Sequence, residues 1–413
     1  MTRWSMLALA LSVSTAAAGC GGGGDDDACN GGVVPDPGCS CVYPKKNPGS
    51  AVCTLPLDVA ERPETKRAQC GDLKEFCAKD ATTAPKLGCL TAAPAQEPAT
   101  PDKVTLTGWV DVFSSGPDSN DVTIQIFDAA QLDAAASIDA VTPIGETTVK
   151  LDAASFPKAR FCPNPTSDLG RTDATCRPQT ADCAACPEGA SVNGTRYCLN
   201  STCEERLRAE VRVEIPNIPT RKFLAIRTMG PGKTADPLWG VLVQYNVYLS
   251  TAARACTAAK GTDPLDTECL RMAGTAGPEF EKNVNVLSKS DYMTIPTTIG
   301  TAITPGFGAI AGEVRDCEDV RLEAAQVGYD MNPGVRSYSN GNPNKTVFDL
   351  GMDGVGTSRL GIFTGINMAP GVVTVEGWGK VGGAATLLGK YRAKVWPDTV
   401  STITINGGRP PQP

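Results

Sequence analysis

Seventeen cysteines in 413 residues constrain this chain more than any other feature. In a reducing compartment so many thiols point to metal or redox sites, whereas in an oxidising one they become disulfides. The first twenty residues choose between the two. Arg3 supplies a short positive start, an apolar stretch runs from Trp4 to Val13, and the small residues Ala16, Ala17, Ala18 and Gly19 lead into Cys20. That is the layout of an export signal, residues 1–19, and its apolar stretch is too short to span a bilayer core of ~30 Å. An exported chain oxidises its cysteines, so disulfides are expected to carry much of the fold.

A cysteine directly after Ala-Ala-Gly resembles the lipobox of bacterial lipoproteins, with Ala17 where that pattern usually carries Leu. The resemblance implies cleavage before Cys20 and lipid attachment to it, palmitate among the acyl chains, with the envelope membrane as the chain's partner. Gly21 to Gly24 and Asp25 to Asp27 then read as a flexible acidic tether over 20–28. No later stretch approaches ~18 consecutive apolar residues, so attachment through lipid alone is expected. Gly21 lacks the acidic character that signals inner-membrane retention in enteric bacteria, which directs the expectation to the outer membrane, on its periplasmic or its surface face. The formal charge of −7 argues against a nucleic-acid partner.

With Cys20 set aside, the remaining cysteines fall into four groups. Cys29, Cys39, Cys41, Cys53, Cys70, Cys77 and Cys89 come first, then Cys162, Cys176, Cys183, Cys186, Cys198 and Cys203, then Cys256 with Cys269, and finally Cys317. The first and last groups are odd. If every thiol pairs, the simplest scheme links Cys317 to one member of the N-terminal group. Cys183 and Cys186 have a C-x-x-C spacing, but outside the cytoplasm the six clustered cysteines of that insertion read as disulfides rather than as a zinc or redox site.

Residues 29–90 are rich in Pro, Gly and Cys, with one helical candidate near 66–79, and are expected to depend on bridges more than on a core. Residues 91–102, with Pro94, Pro98 and Pro101, have linker composition. Beyond them the pattern is strand. Val122 to Phe127 is β-rich, and Leu207 to Ile215 alternates apolar and charged residues, predicting a sheet with one wet face. Further strands are predicted at 222–228, 238–249, 308–315, 325–330, 346–350, 372–378, 391–396 and 400–405. Short helices are predicted near 252–259 and 264–273, where Cys256 and Cys269 would clip together. Many short strands between Gly and Pro turns predict a mainly β chain of antiparallel sandwiches.

Leu106-Thr-Gly-Trp-Val-Asp111 is echoed by Ile310-Ala-Gly-Glu-Val-Arg315, a weak internal repeat that predicts two sandwiches, 103–304 and 305–408. Gly312-Glu-Val-Arg-Asp-Cys317, Glu323-Ala-Ala-Gln-Val327 and Gly361-Ile-Phe-Thr-Gly-Ile-Asn-Met-Ala-Pro-Gly371 together resemble the carboxypeptidase regulatory-like, transthyretin-like β-sandwich family. The match covers roughly 305–406. Over 103–250 it is looser, because the Gly-x-Phe element is missing and a cysteine-rich insertion at about 161–205 interrupts it. The resemblance implies two antiparallel transthyretin-like sandwiches serving as accessory, spacer or recognition modules.

Histidine is absent, which removes Ser-His-Asp triads, Cys-His pairs, His-ligated zinc and His general bases. Gly230-Pro-Gly-Lys-Thr234 ends like a phosphate-binding loop, yet Arg227 stands at the first glycine position, so it reads as a turn. Ser155 and Lys158 have a Ser-x-x-Lys spacing that Pro157 disrupts. Asp25 to Asp27 and Asp353 lack the pattern of a calcium loop. No catalytic residue, cofactor or metal is therefore expected. The leading expectation is a non-enzymatic, lipid-anchored envelope protein with a structural, adhesive or recognition role toward envelope proteins or glycans. Two rivals stay open: a glycan-binding surface module using Trp109, Trp239, Trp378, Trp396 and Tyr329 as a stacking platform, and a glycoside hydrolase built on two carboxylates.

Overall fold

The computed structural model describes residues 77–78, 85–90, 102–113, 117–151, 160–163, 177–178, 196–199, 202–205, 207–250, 256, 268–271, 277–317, 319–339, 347–350, 356–358, 360–381, 384–410 and 412. They are mainly β, arranged in several sheets with two short α-helices.

A nine-stranded sheet organises the molecule. Its order is Phe348–Asp349, Val335–Ser339, Ile362–Met368, Gly308–Arg315, Val400–Asn406, Leu242–Tyr248, Phe223–Met229, Val122–Asp128 and Gly145–Val149. The sheet runs straight across the expected division at 304/305, because Val400–Asn406 lies parallel to Gly308–Arg315 on one side and to Leu242–Tyr248 on the other. The two halves are thus continuous through one sheet. They are also not purely antiparallel, since Glu279–Glu281 and Val284–Ser288 run parallel to Lys103–Val112.

The central strands are apolar on both faces because both faces are covered. Successive residues Leu224 and Ala225 enter different cores. One core, with Phe127, Ala225, Val243 and Tyr245, is closed by a three-stranded sheet of Gln326–Tyr329, Gly371–Val381 and Ala384–Val395. The other, with Ile124, Ile126, Leu224 and Ile226, is closed by a sheet containing Lys103–Val112 and Arg212–Pro219. On the C-terminal side, Leu242, Ala309, Ile366 and Val400 pack with Tyr292 and Ile295 of the helix Lys289–Thr297.

The glycines of the family-like motifs have local causes. A Cβ on Gly312 would lie 1.9 Å from the Ile403 carbonyl oxygen, and Gly361 has a φ of +65°. The first position tolerates no side chain, and the second is a left-handed backbone that favours glycine.

Several expectations change. The stretch 207–215 is two strands, Leu207–Glu210 and Arg212–Pro219, because the first pairs with Arg160–Pro163 and the second with Lys103–Val112. Its charged face is not wet throughout. Glu210 is buried, and the Arg212 side chain is only 7 % exposed where it meets the Glu281 carboxylate. Within the predicted helix 264–273, Cys269–Arg271 is instead a strand paired with Glu279–Glu281. Within the helical candidate 66–79, Cys77–Ala78 is a strand paired with Leu322–Glu323. The predicted helix 252–259 lies outside the described residues apart from Cys256.

Candidate functional site

A cluster of charged groups gathers where the strand Gly308–Arg315 ends and the chain turns back through 316–317 and 319–321. Residues two apart in a strand share a face, so Glu313 and Arg315 stand side by side and Arg315 donates to Glu313, its Nε at 2.8 Å. The turn is closed by Asp316, whose Oδ1 accepts from Val320 N and whose carbonyl accepts from Asp319 N. Asp319, at φ +67°, is thereby folded back onto Arg315, which donates through Nη1 to its Oδ2 at 2.6 Å. Arg321 Nη2 reaches Glu313 Oε1 at 2.6 Å.

Two other parts of the chain complete the cluster. Glu268, also at positive φ, pairs with Lys282 and takes both oxygens to Arg409 Nη2, at 3.1 and 3.2 Å. Asn406 Nδ2 is 3.4 Å from Asp319 Oδ1. Lys282, Arg315, Arg321 and Arg409 therefore face Glu268, Glu313 and Asp319, in a partly buried setting where charge pairs act more strongly than in open water.

The three carboxyls respond differently. Burial pushes Glu268 up, but Lys282 and Arg409 outweigh it and hold the carboxyl well below the usual range. Glu313 is likewise held low against burial by Arg315 and Arg321. Asp319 is raised: burial dominates, Arg315 opposes it, and the neighbouring Glu268 charge adds to the rise. Burial works against the charge of Arg315 too, but Asp319 and Glu313 more than compensate and strengthen its hold on the proton.

The same corner receives the N-terminal segment. Cys89 is disulfide-bonded to Cys317, with Cα atoms 5.8 Å apart. Lys86 N donates to Asp316 Oδ2 at 2.9 Å, and Cys317 N donates to the Lys86 carbonyl at 2.9 Å. Leu87 and Leu90 pack on the core beneath the three-stranded sheet. The arrangement draws separate stretches of chain together through ion pairs, hydrogen bonds and one covalent bridge.

The remaining cysteines fall elsewhere. Cys256 is bonded to Cys269, Cα atoms 4.9 Å apart. In the backbone register Cys198 stands directly opposite Cys203, and Cys162 opposite Arg208. Cys20, Cys176, Cys183 and Cys186 lie outside the described residues, as do Ser155, Lys158, Asp353 and the tether at 20–28.

The stacking platform is not formed by the residues expected of it. Trp109, Trp239, Trp378, Trp396 and Tyr329 are between 0 and 6 % exposed. The Arg212 guanidinium sits over the Trp109 ring at 5.2 Å, and the indole nitrogens of Trp239, Trp378 and Trp396 are committed to Asn120 O, Glu376 Oε2 and Tyr245 Oη. The 230–234 loop is a turn whose Gly232 amide donates to Asp236, a carboxylate that also accepts from Leu238 and Trp239. These three amides are thus committed to Asp236.

No protein-family profile matches the chain, and no curated protein matches it. Among solved structures, the chain is similar to a point mutant of the shaft pilin spaA from Lactobacillus rhamnosus GG, at 10 % identity and a TM-score of 0.16, over 74 % of this chain and 98 % of that one. A leucine-rich repeat protein from Bacteroides thetaiotaomicron VPI-5482 gives 8 % identity and a TM-score of 0.15, over 76 % of this chain and 26 % of that one. Superpositions at these scores establish no shared fold.

Proposed function

We propose that this chain is a bacterial lipoprotein of the cell envelope, cut before Cys20, lipid-anchored in the outer membrane, and structural, adhesive or recognising in role rather than catalytic. The observation that carries the reading is the run from Ala16 to Cys20 followed at once by the Gly and Asp tether. Three further features support it. Two disulfides among the described residues fit an oxidising compartment. No helix among the described residues is long and apolar enough to cross a membrane, which suits attachment by lipid. Glu268, Glu313 and Asp319 are each engaged by a cation, an arrangement suited to tying chain segments together. Within this reading the C-terminal half is a transthyretin-like module in the manner of carboxypeptidase regulatory-like domains, and its partners are other envelope proteins or glycans.

The deciding experiment is fractionation of cells making the wild type and Cys20→Ala. The wild type is expected in the membrane fraction, labelled by radioactive palmitate. The variant is expected unlabelled and soluble. A variant that stays in the membrane overturns the proposal. Protease shaving of intact cells then assigns the periplasmic or surface face.

A further inference from the structure

Residues 77–78 and 85–90 precede the first half of the chain, yet their strand pairing, disulfide and backbone hydrogen bonds are with the second. Cys77–Ala78 pairs in antiparallel register with Leu322–Glu323. Lys86 is bonded at its backbone nitrogen and oxygen to Asp316 and Cys317, and Cys89 is bridged to Cys317. Leu90 lies so close over Gly407 that a Cβ there would be 2.4 Å from its Cδ2. A strand pairing, backbone hydrogen bonds, a covalent bond and an apolar seat thus fix one short segment to one corner.

From this we infer that the chain fixed at 77–78 and at 85–90 acts as a force-transmitting strap, which passes tension applied at the N-terminus directly to the C-terminal half and keeps residues 90–316 out of the force path. The topology explains why. Tension entering at Cys89 leaves at Cys317, and the 228 positions between them form a closed loop that cannot extend while the bond is intact. Within that loop lie Val122–Asp128, Phe223–Met229, Leu242–Tyr248 and every residue of the core built around Ile124 and Leu224. A chain held at one end by lipid and gripped beyond Cys317 by a partner would keep this part from being extended under pull. The inference rests on the proposed N-terminal anchorage only for the direction of the pull.

The test is single-molecule stretching of the full mature chain, gripped at its two ends, first oxidised and then with a soluble dithiol. A dithiol thiolate attacks one sulfur of Cys89–Cys317, giving a mixed disulfide and expelling the other cysteine as thiolate. The second dithiol sulfur then closes a cyclic disulfide and frees the remaining cysteine. The oxidised chain is expected to show no event that includes 90–316. The dithiol is expected to add a discrete step of up to roughly 750–820 Å, from 228 positions at ~3.3–3.6 Å each. Cys256–Cys269 lies inside the closed loop, so its exchange adds no step while Cys89–Cys317 is intact and afterwards only 13 positions, about 45 Å; step size therefore identifies the bond. Cys317→Ser is expected to show the long extension without dithiol. If that variant does not fold, the wild-type comparison still decides. An oxidised wild type that already extends through the whole chain, or a dithiol that adds no long step, overturns the inference. Neither result depends on lipid attachment, which the fractionation of Cys20→Ala tests separately.

Discussion

Arg409 spans 141 positions of sequence to set its guanidinium against both carboxylate oxygens of Glu268, at 3.1 and 3.2 Å. The pair joins the last strand's exit to the start of a strand in the first half, and Lys282 holds the same carboxylate. A partly buried carboxylate with two cationic partners leaves both cations short of a counter-charge when it is removed.

Glu268→Gln is accordingly expected to lower stability by about 2–3 kcal/mol, the range for breaking such a pair with some solvent access. Arg409→Gln, which leaves Lys282 on Glu268, should cost less. Urea unfolding midpoints of the oxidised proteins give both values. Equal midpoints for the two variants would show that Lys282 contributes nothing to the pair.

Acidification should first help and then harm. Asp319 is raised above its ordinary 3.8, so the folded form takes up that proton before the unfolded one does, and stability rises as pH falls toward that value. Glu268 and Glu313 are lowered below 4.5, so their contribution is complete above about 4.5 and is lost as pH falls through the depressed folded values. The rise from Asp319 therefore comes first, and the loss from Glu268 and Glu313 follows below about 4.5. Asp319→Asn is expected to abolish the early rise and leave the acid loss in place. Urea midpoints at pH 7, 5 and 3 check both arms.

Tyr391 donates its hydroxyl proton to the Asn406 carbonyl, and burial pushes the phenol up to about 12 despite the opposing charge of Arg409. Its raised value means that stability is intact below pH 10 and lost as pH climbs from 10 through about 12. Tyr391→Phe should cost about 1 kcal/mol at neutral pH, the usual worth of one hydrogen bond, and should soften that alkaline loss. Alkaline titration followed by tyrosinate absorbance, alongside thermal melts, separates the two effects.

The two disulfides should differ in worth. Cys256–Cys269 closes 13 positions and Cys89–Cys317 closes 228. Loop-closure entropy gives about 3 kcal/mol for the first and up to about 5 for the second. Serine pairs at each site, compared by melting temperature, are expected to rank in that order. The reverse ranking would mean that the native contacts at Lys86, Leu87 and Leu90 hold the strap without help from the bond.

Much of the strand content is legible in the sequence because it is a local property. Gly308–Arg315 reads to the residue, and Phe223–Met229 and Val400–Asn406 within one, since apolar runs between turn residues survive folding unchanged. Partner choice is not local. Nothing within Val400–Asn406 says that both neighbours will run parallel to it, or that one comes from the other half. The helix Lys289–Thr297 is hidden by Pro296 inside it, although Ser288, whose Oγ accepts from Asp291 N at 2.9 Å, is a start signal in plain view. The cluster around Arg315 escapes for the same reason as the strand order. Glu268, Lys282, Asp319 and Arg409 are ordinary loop charges until the fold brings them together.

Gly312 offers the sharpest test of the shared sheet. Its Cβ position lies 1.9 Å from the Ile403 carbonyl oxygen and 2.8 Å from the Phe363 ring, so an added methyl meets backbone on one side and a buried aromatic on the other. Overpacking usually costs about 1–3 kcal/mol where side chains can yield. Here the obstacle is the carbonyl of a neighbouring strand in register Gly312 to Ile403, and relief requires the two strands to part. Gly312→Ala is therefore expected to cost more than about 3 kcal/mol, with amide exchange accelerated along both Val400–Asn406 and Leu242–Tyr248, because the first strand ties the halves together. Gly407→Ala meets chiefly the movable end of Leu90 and should cost less, with faster exchange confined to 85–90. Protection lost only within 305–408 in Gly312→Ala would show that the halves fold as independent units.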